Sequence, residues 1–517
     1  MLKGLIAKIK GVLNRMGLIK NIRTVSDLKN IPITDDYYKL ITMWLDLYKG
    51  YLAQDIDGMP FHRVEYNTIG QGTRKRRMNT LRMPKIASEE MARLVFNEKC
   101  TINISDERFS EEIKSVFEYN KFHKVFQDRL EYMFALGGIV PKVYAETDRA
   151  GQTRIQITYA TADCFVPLSY SNDHISEGLF VNVTRKGKYW YTLLEWHQWE
   201  GQTYVIRNQL FRSDMENELG VLVSLDTLYP DLEDEVRIDG LSRPLFVYIK
   251  PNIANSFDLQ SPLGISLFAN AIDTVKALDI AFDSLIREFR LGKKRIIVPA
   301  TAIKTVVDPQ TGDLKRYFDA TDEAYEAFNF DMADQQKIFD NSVELRVEEH
   351  TSAIQSLLDV FAMQIGFSPG AFSFDGQGVK TATEVVSENS KTFRSKNSHE
   401  TVIEEALKDL ITSIGEVAEL YGLFDMPADF DVTVDFDDSI AEDRNANADF
   451  YLKLLQQGII TKAFALEKIL ALTEEQAAEM VEAVREETAT DTPDVFDMFG
   501  QDGGQQGDEG GGGGGGD

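Results

Sequence analysis

The sequence Gly366-Phe-Ser-Pro-Gly-Ala-Phe-Ser-Phe-Asp-Gly-Gln-Gly-Val379 separates two stretches whose apolar residues recur at helical spacing. Those apolar residues are Ile354, Leu357, Leu358, Phe361 and Ile365 before it and Ile403, Leu407, Leu410, Ile414 and Val417 after it. Its proline and glycines disfavour helix, so the stretch predicts a loop that projects from a helical scaffold. Phe372 and Phe374 in this loop either pack back into the core or need a cover from elsewhere, and the residues alone leave both open.

The composition is strongly acidic. The 517 residues are enough for several domains, and their net charge is −28. Proteins that hold nucleic acid tightly present clustered Lys and Arg, so this charge excludes that class but allows a protein that surrounds nucleic acid without gripping it. Only Cys100 and Cys164 are present, which predicts reduced thiols and neither a disulfide framework nor a cysteine-based zinc site.

The N-terminal residues 1–20 combine lysines and apolar residues in a pattern typical of a short basic amphipathic helix. Lys8 and Lys10 interrupt any signal-peptide core, and the sequence has no apolar run long enough to span a membrane. Docking of this helix on protein is favoured over attachment to a membrane surface, so no membrane partner is expected. Without a targeting signal, we expect synthesis and assembly in a cytoplasm.

Residues 20–250 divide into a helical part and a sheet-forming part. Residues 20–145 are predicted to be mostly helical around an irregular basic insert, Gly70-Gln-Gly-Thr-Arg-Lys-Arg-Arg77. Its four cations favour a solvated turn over a contact with a phosphate or an acidic neighbour. Residues 150–250 contain alternating or β-branched runs joined by tight connections, which predicts an antiparallel sheet. The runs are 153–159, 178–184, 189–196 and 204–211.

A long helix, a small insert and a returning helix are predicted next. Ser261-Pro-Leu-Gly-Ile-Ser266 stops the preceding segment, and Ser266 is a candidate N-cap for a helix that ends at Gly292. Lys293-Lys-Arg-Ile-Ile-Val-Pro299 then predicts a short strand, which begins an α/β insert with a turn at 308–312. The chain returns on a helix over 351–365.

The helix predicted over 381–421 changes character along its length. Its first half, to residue 400, has only Val385, Val386 and Phe393 as bulky apolar anchors, so it is either exposed to water on most sides or lines a wet channel. Residues 431–437 then alternate like a strand, and two further helices follow. Residues 425–517 hold 23 acidic and 5 basic side chains, and their Gly-rich end predicts disorder.

No pattern of residues indicates catalysis. Gly376-Gln-Gly-Val-Lys-Thr381 only approaches a phosphate-binding loop, because Val379 separates the glycine from the lysine. Asp435, Asp437 and Asp438 stand where a strand gives way to a helix, which favours capping over a metal site. The sequence therefore predicts a protein without enzymatic activity, metal or cofactor.

The order of these elements, together with three motifs, resembles the portal protein of tailed bacteriophages, in particular that of long-tailed phages of Gram-positive hosts. The motifs are Ser261-Pro-Leu-Gly-Ile-Ser266, Gly292-Lys-Lys-Arg-Ile-Ile-Val-Pro299 and Gly366-Phe-Ser-Pro-Gly…Gly378-Val-Lys-Thr-Ala-Thr-Glu384. The resemblance implies an α+β, mainly helical chain with the portal fold, assembled as a ring of about twelve subunits around a central channel. Such a ring would stand at one capsid vertex of the virion after assembly in the host cytoplasm, and would conduct double-stranded DNA during packaging and ejection.

The parts of a portal subunit are expected at defined places in the chain. The resemblance implies a basic N-terminal segment (1–20), a wing (21–260), a stem helix (261–292), a clip (293–346), a second stem helix (347–366), a tunnel loop (367–380), a long wing and channel helix (381–424), a crown (425–490) and an acidic tail (491–517). The implied partners, besides DNA and other copies of the chain, are the large terminase subunit, the major capsid and scaffolding proteins, and a head-completion (adaptor) protein.

Two sets of residues are expected to carry these roles. The set facing DNA consists of Phe372, Ser373, Phe374, Asp375, Gln377, Lys380, Lys391, Arg394 and Lys396. The set in the clip that docks the packaging motor consists of Lys293, Lys294, Arg295, Asp308, Lys315 and Arg316. The four cations of the first set would make weak, shifting contacts with phosphates, and its two Phe rings would pack between neighbouring subunits. The alternative function is a non-viral acidic oligomeric scaffold or adaptor that binds a protein partner through the same loop.

Overall fold

The chain divides into two compact units. The first comprises Met1–Lys380 and Ser387–Asp438, and the second comprises Thr381–Val386 and Ser439–Asp517. The computed structural model describes residues 35–50, 62–68, 72–97, 99–147, 151–172, 174–215, 218–292, 296–297, 305–307, 314–316, 339–340, 344–373, 390–436, 444–470, 477–478 and 480–484. The predicted N-terminal helix at 1–20 and the acidic tail at 491–517 lie outside these ranges. Helices and antiparallel strands are both abundant in the described residues, which confirms the α+β class.

Helices dominate the first part of the chain, as predicted for 20–145. They are α1 (Asp35–Lys49), α2 (Met83–Val95), α3 (Glu107–Tyr119) and α4 (Phe122–Leu136). Local sequence sets their ends: the Asp106 carboxylate caps α3 by accepting a hydrogen bond from the Phe109 amide at 2.8 Å. Gly137 ends α4 in the left-handed conformation, with φ of 85°. The inward faces of these helices, including Phe126 and Leu130 of α4, belong to one fully buried core.

The basic insert is a strand rather than an irregular turn. Strands β1 (Arg63–Thr68) and β2 (Gly72–Arg77) pair in an antiparallel hairpin, which is held on helix α5 (Ile272–Leu291) by two buried carboxylates. The Arg76 guanidinium donates to both oxygens of Asp283, at 2.9 and 2.5 Å. The His62 Nε2 lies 2.9 Å from the Asp279 carboxylate. Arg76 therefore contacts an acidic group of its own chain, so the prediction of a solvated turn is wrong for this residue.

Two further antiparallel strand pairs lie in the first unit, and one of them joins distant parts of the chain. Strand β3 (Thr101–Ile104) pairs with β16 (Val432–Asp435), and β4 (Ile139–Thr147) pairs with β5 (Thr153–Thr161). The strands predicted at 431–437 and 153–159 are thus confirmed. Because β16 belongs to the first unit, the crown boundary predicted at residue 425 lies inside that unit, and the second unit resumes only at Ser439.

A larger antiparallel sheet occupies the region predicted for it. Its path runs β10 (Val221–Val223), β9 (Thr203–Ser213), β8 (Tyr189–Glu200), β7 (His174–Lys186) and β6 (Phe165–Ser171), and β11 (Glu235–Asp239) also pairs with β9. Gly187 and Gly201 open the two-residue connections on either side of β8, with φ of 65° and 70°. The left-handed conformation at these positions lets the strands reverse without splaying, so the predicted sheet is confirmed.

Helix α5 begins later than its sequence suggests. A 3-10 turn over Ala269–Ala271 precedes it, and no side chain caps it at Ala271. The predicted N-cap at Ser266 is wrong, because the helix starts only at Ile272: the buried Ser266 hydroxyl accepts from the Phe268 amide at 3.3 Å and donates to the Phe134 carbonyl at 3.2 Å. The Ser266 oxygen thus satisfies an amide two residues further on, before the 3-10 turn, and not an amide of α5.

Helix α6 (Val347–Gln364) returns antiparallel to α5, as predicted. The Arg346 guanidinium at its start reaches Glu288 near the end of α5 at 3.1 Å, and the two helices pack along their length. Between them, β12 (Ile296–Ile297) pairs with β15 (Phe339–Asp340), and β13 (Thr305–Val307) pairs with β14 (Leu314–Arg316). The predicted turn at 308–312 lies outside the described residues.

The chain then enters helix α7 (Ser390–Leu420), whose second half lies in the core. The predicted apolar stripe is confirmed, with Ile403, Leu407, Leu410 and Ile414 at most 1% exposed. The start predicted for this helix, at 381, lies outside the described residues. In the second unit, α8 (Arg444–Gln456) and α9 (Lys462–Leu470) pack on each other and match the two helices predicted there.

Four polar side chains of the sheet and of β4 form a hydrogen-bonded network. The Tyr204 hydroxyl donates to the His197 Nδ1 at 2.7 Å, and the His197 Nε2 donates to Glu195 at 2.6 Å. The Lys142 ammonium lies 2.7 Å from both oxygens of Glu195. Burial alone would raise the pKa of the Glu195 carboxyl, but Lys142 and His197 outweigh it and lower that pKa to about 2. Burial also lowers the pKa of His197, which remains a neutral link between tyrosine and carboxylate.

We predict that Glu195→Gln destabilises the first unit at pH 7 and that this difference shrinks in acid. A carboxyl whose folded pKa lies below its unfolded value of about 4.3 stabilises the fold fully above that value and loses the contribution as the pH falls towards 2. The expected loss at pH 7 is about 3 kcal/mol, measured by urea unfolding at several pH values. Glu200→Gln on the same strand, with an exposed carboxylate, is the control and should leave stability nearly unchanged. A pH-independent loss for Glu195→Gln would contradict the ion-pair account.

Candidate functional site

The loop that follows α6 starts from a tightly defined turn at Gly366. The amides of Ile365 and Phe367 donate to carbonyls in the last turn of α6, at 3.1 and 2.8 Å, and Gly366 takes φ of 88° between them. The Ser395 hydroxyl of α7 donates to the Gly366 carbonyl at 2.7 Å. A Cβ on Gly366 would lie 2.7 Å from that hydroxyl oxygen, so both the conformation and the close approach favour glycine.

Ser368 and Thr392 join the loop to the first turn of α7 by reciprocal hydrogen bonds. The Ser368 amide donates to the Thr392 hydroxyl at 2.9 Å, and the Thr392 amide donates to the Ser368 hydroxyl at 3.3 Å. Ser368 is fully buried and Thr392 is 7% exposed. Each hydroxyl therefore satisfies a buried backbone donor of the other segment, which fixes the distance between the two helix ends.

Asp359 and Gln355 of α6 hold the next residues of the loop. The Asp359 carboxylate accepts from the Gly370 amide at 3.0 Å and from the Gln355 side-chain amide at 3.2 Å. The same Gln355 amide donates to the Phe372 carbonyl at 3.1 Å. Residues 367–373, which we call the loop base, are thus tied to α6 by polar contacts over three successive turns.

The Phe372 ring packs against its own chain. Its centroid lies 5.1 Å from that of Phe367 and 6.0 Å from that of Phe361, in tilted arrangements within reach of the main core. Of the two possibilities left open by the sequence, core packing therefore holds for this ring, and a neighbouring subunit is not needed to cover it. Ser373 is exposed at the end of the loop base. The other predicted loop residues, Phe374, Asp375, Gln377 and Lys380, lie outside the described residues.

The polar first turns of α7, residues 390–400, are only partly exposed to solvent. Four polar side chains on one side of the helix are buried: Thr392, Lys396, His399 and Glu400. Lys396, predicted to face DNA, is 3% exposed and pairs with Glu400 at 2.6 Å, so the structure removes it from the DNA-facing set. The prediction for Lys396 is wrong because the spacing of polar residues along a helix does not distinguish a buried, paired lysine from a solvated one. Lys391 is partly exposed and Arg394 is exposed on the other side of the helix.

The helix pair α5–α6 carries apolar side chains that its own chain leaves exposed. Ile280 and Phe289 of α5 are each 49% exposed, and Val360 and Met363 of α6 are 39% and 45% exposed. Ile280 and Phe289 are nine positions apart, which at about 100° per residue places them on opposite sides of the helix. The helix pair therefore exposes apolar side chains on two sides, and other molecules could pack against each of them.

The residues predicted for the clip are only partly described. Lys315 and Arg316 lie in β14, opposite Val306 and Thr305 of β13, while Lys293, Lys294, Arg295 and Asp308 lie outside the described residues. Within the described ranges, no group of three or more His, Cys, Asp or Glu side chains could hold a metal ion. None of the described helices has both the length and the apolar character needed to cross a bilayer.

The sequence did not reveal the polar contacts that hold the loop base. Ser368, Thr392 and Asp359 are ordinary polar residues in the pattern, and their partners lie 11 to 24 positions away. The only available signal was the Ser-Pro-Gly run directly after a helix, which indicates a turn with side-chain hydrogen bonds but not the partner that accepts them.

A family model described as phage portal protein, SPP1 Gp6-like, matches residues 28–494 of the chain. The match includes both helices of the α5–α6 pair, the strands between them, the loop base and α7. No curated protein matches the chain.

We predict that Ser368→Ala and Thr392→Val each destabilise the junction between α6 and α7. Either change leaves a buried amide without its acceptor, which costs about 1–3 kcal/mol. Hydrogen exchange should then accelerate at the amides of residues 368 and 392, and urea unfolding should report the loss. Thr412→Val is the matched control, because its hydroxyl, at a partly exposed position of α7, bonds only to the Lys408 carbonyl four residues earlier. Exchange rates that stay unchanged in both variants would show that the reciprocal pair does not hold the junction.

Proposed function

Because the chain belongs to the SPP1 Gp6-like family of phage portal proteins, we propose that copies of it close into a ring of about twelve subunits whose central channel passes double-stranded DNA during packaging and ejection. Proteins of this family are structural components of the virion capsid that serve genome packaging. The ring would stand at one capsid vertex after assembly in the host cytoplasm. The family match over 28–494 favours this function over a non-viral acidic scaffold or adaptor.

The two-sided apolar surface of α5–α6 carries the ring proposal. A closed ring is built from head-to-tail contacts, so each subunit needs two different surfaces that complement each other. Ile280 on one side of α5 and Phe289 on the opposite side, both half exposed, meet that requirement. Covering them on both sides by neighbouring copies would remove apolar surface from water, which favours association.

The loop at 367–380 and two cations in the first turns of α7 would face the DNA. The loop base is fixed to α6, so the residues that follow it, 374–380, would start from a defined position in every subunit. Lys391 and Arg394 would supply the phosphate contacts, without Lys396. A net charge of −28 per subunit opposes tight binding of a polyanion, which suits a duplex that has to slide.

The segment 293–346 would form the clip that docks other components. Its antiparallel pairs β12–β15 and β13–β14 place Lys315 and Arg316 on a short hairpin strand, and Lys293, Lys294, Arg295 and Asp308 are proposed with them as docking residues. The proposed partners are the large terminase subunit during packaging and the head-completion (adaptor) protein afterwards. The major capsid and scaffolding proteins would surround the ring at the vertex.

We predict that Ile280→Asp and Phe289→Asp each abolish ring formation alone but pair with each other. In a head-to-tail ring each variant spoils one side of every subunit, because a buried unpaired charge is strongly unfavourable. An equimolar mixture retains one intact contact, between the unaltered sides, and should give a dimer that cannot grow. Native mass spectrometry would measure the species, with capsid and scaffolding proteins present if rings form slowly alone.

The control for this experiment is Ile86→Asp, a charge placed on an exposed isoleucine of α2, outside the helix pair. It should leave the ring mass unchanged. Full rings from both single variants would contradict the head-to-tail interface through α5.

We predict that deletion of 374–380 leaves ring assembly intact but reduces the amount of DNA packaged or retained. The deletion spares the loop base, whose hydrogen bonds to α6 and α7 maintain the junction. Packaged DNA per particle would be measured by nuclease protection, and ring mass by native mass spectrometry. Replacement of the same residues by a Gly/Ser segment of equal length is the control that separates loop length from side chains. Full genome filling after the deletion would refute the role of this loop.

A further inference from the structure

A cavity of about 460 Å³ opens beside the loop base, between the end of α6, the first turns of α7 and the segment around Asn252. We propose that this cavity is a phosphate-binding pocket, and that a backbone phosphate of the DNA is its occupant. The assignment to DNA rests on the proposed function, whereas the affinity for a phosphate group does not. We call the space between Lys391, Arg394, Ser398, His399 and Asn252 the phosphate pocket.

His399 gives the phosphate pocket a buried hydrogen-bond donor. The His399 ring is 3% exposed and stands edge to face with the Phe134 ring, with centroids 4.9 Å apart. Its Nδ1 accepts a hydrogen bond from the backbone amide of Asn252 at 3.0 Å. Burial lowers the pKa of His399 to about 4, so at neutral pH the ring is uncharged and its single proton is on Nε2. Among the described residues that N–H has no acceptor, and the ring lines the cavity. The N–H is therefore free to donate to a group bound in the cavity.

Lys391 and Arg394 give the phosphate pocket its charge. The Arg394 Nε donates to the Ser390 carbonyl at 3.3 Å, which leaves the two terminal nitrogens of the guanidinium for another acceptor. The Lys391 ammonium donates to the Met363 carbonyl and has two further protons. No described carboxylate pairs with either cation, and no acidic residue lines the cavity. In a chain with net charge −28, a cavity with two cations and no acid is an anion site.

Ser398 adds a further hydrogen-bond donor, and a site lined by donors favours an oxyanion over a cation or a neutral ligand. The Asn252 side-chain amide donates to the Ser398 hydroxyl oxygen at 2.8 Å and to the Ser398 carbonyl at 2.9 Å. Because the hydroxyl oxygen already accepts, its proton is left to donate. An imidazole N–H, a hydroxyl, a guanidinium and an ammonium are then all donors, and a phosphate group has enough acceptor oxygens to use them together.

The binding of inorganic phosphate and of a short fluorescent DNA duplex to the full chain tests the pocket. Arg394→Gln should weaken phosphate binding about tenfold, since it removes a charge-assisted hydrogen bond, and Lys391→Gln should also weaken it. For the duplex, each substitution should lower the slope of log affinity against log salt by about one. The matched control is Lys408→Gln, which removes an exposed cation of the same helix that lies near Asp431, away from the cavity.

The results of these measurements distinguish a failure of the proposed phosphate pocket from a failure of the proposed ring. Phosphate binding that is weakened by Arg394→Gln and not by Lys408→Gln, with phosphate and duplex competing, is the expected result. Phosphate binding without competition from the duplex would overturn DNA as the occupant. The absence of saturable phosphate binding to the wild-type chain, or equal binding by all variants, would overturn the pocket itself. Ring mass, measured on the same samples, reports on the proposed function independently of these results.

Discussion

The arrangement around the loop depends on one junction, where α6 ends and α7 begins. Two chain segments that meet in a buried place must satisfy their backbone amides, and here Ser368 and Thr392 do so for each other. Gly366 makes the turn possible, and the Ser395 hydroxyl takes up its carbonyl. These contacts fix which side of α7 is buried. They therefore fix which of its cations, Lys391 and Arg394, remain at the surface and which, Lys396, does not.

Buried carboxylates place part of the acidity of the chain inside the fold. Asp279 and Asp283 of α5 are 2% and 4% exposed, and they hold the β1–β2 hairpin through His62 and Arg76. Breaking such a pair leaves a buried charge without compensation, at a cost of about 3–5 kcal/mol. The hairpin is therefore expected to follow any displacement of α5 rather than separate from it. The net charge of −28 also overstates the field at these positions, because each of these acids already has its partner.

The elements were largely predictable from the sequence, whereas their polar contacts were not. The apolar stripes of α6 and α7 and the alternating runs of β7, β8 and β9 are local patterns, and the structure confirms them. Ser266 is not the N-cap of α5 because a 3-10 turn over Ala269–Ala271 delays the helix to Ile272, while the Ser266 proton goes to a carbonyl of α4, 132 positions earlier. The partner of Asp279 is 217 positions away, and no local pattern contains that information. The basic insert was misread for the same reason, since Gly72–Arg77 becomes a strand by pairing with β1 and contacting α5.

Phosphate binding beside the loop would be compatible with free sliding of a duplex, because each pocket contacts only one phosphate and the same pocket recurs in every subunit of the proposed ring. A pocket with two cations replaces few counterions, so the affinity of any single phosphate for it is modest and decreases with salt. Identical pockets around a ring would present equivalent positions to successive phosphates, and transfer from one to the next would then change the binding free energy little. The acidic remainder of each subunit would oppose closer approach. A channel built in this way would keep the duplex centred while leaving it free to move along its axis.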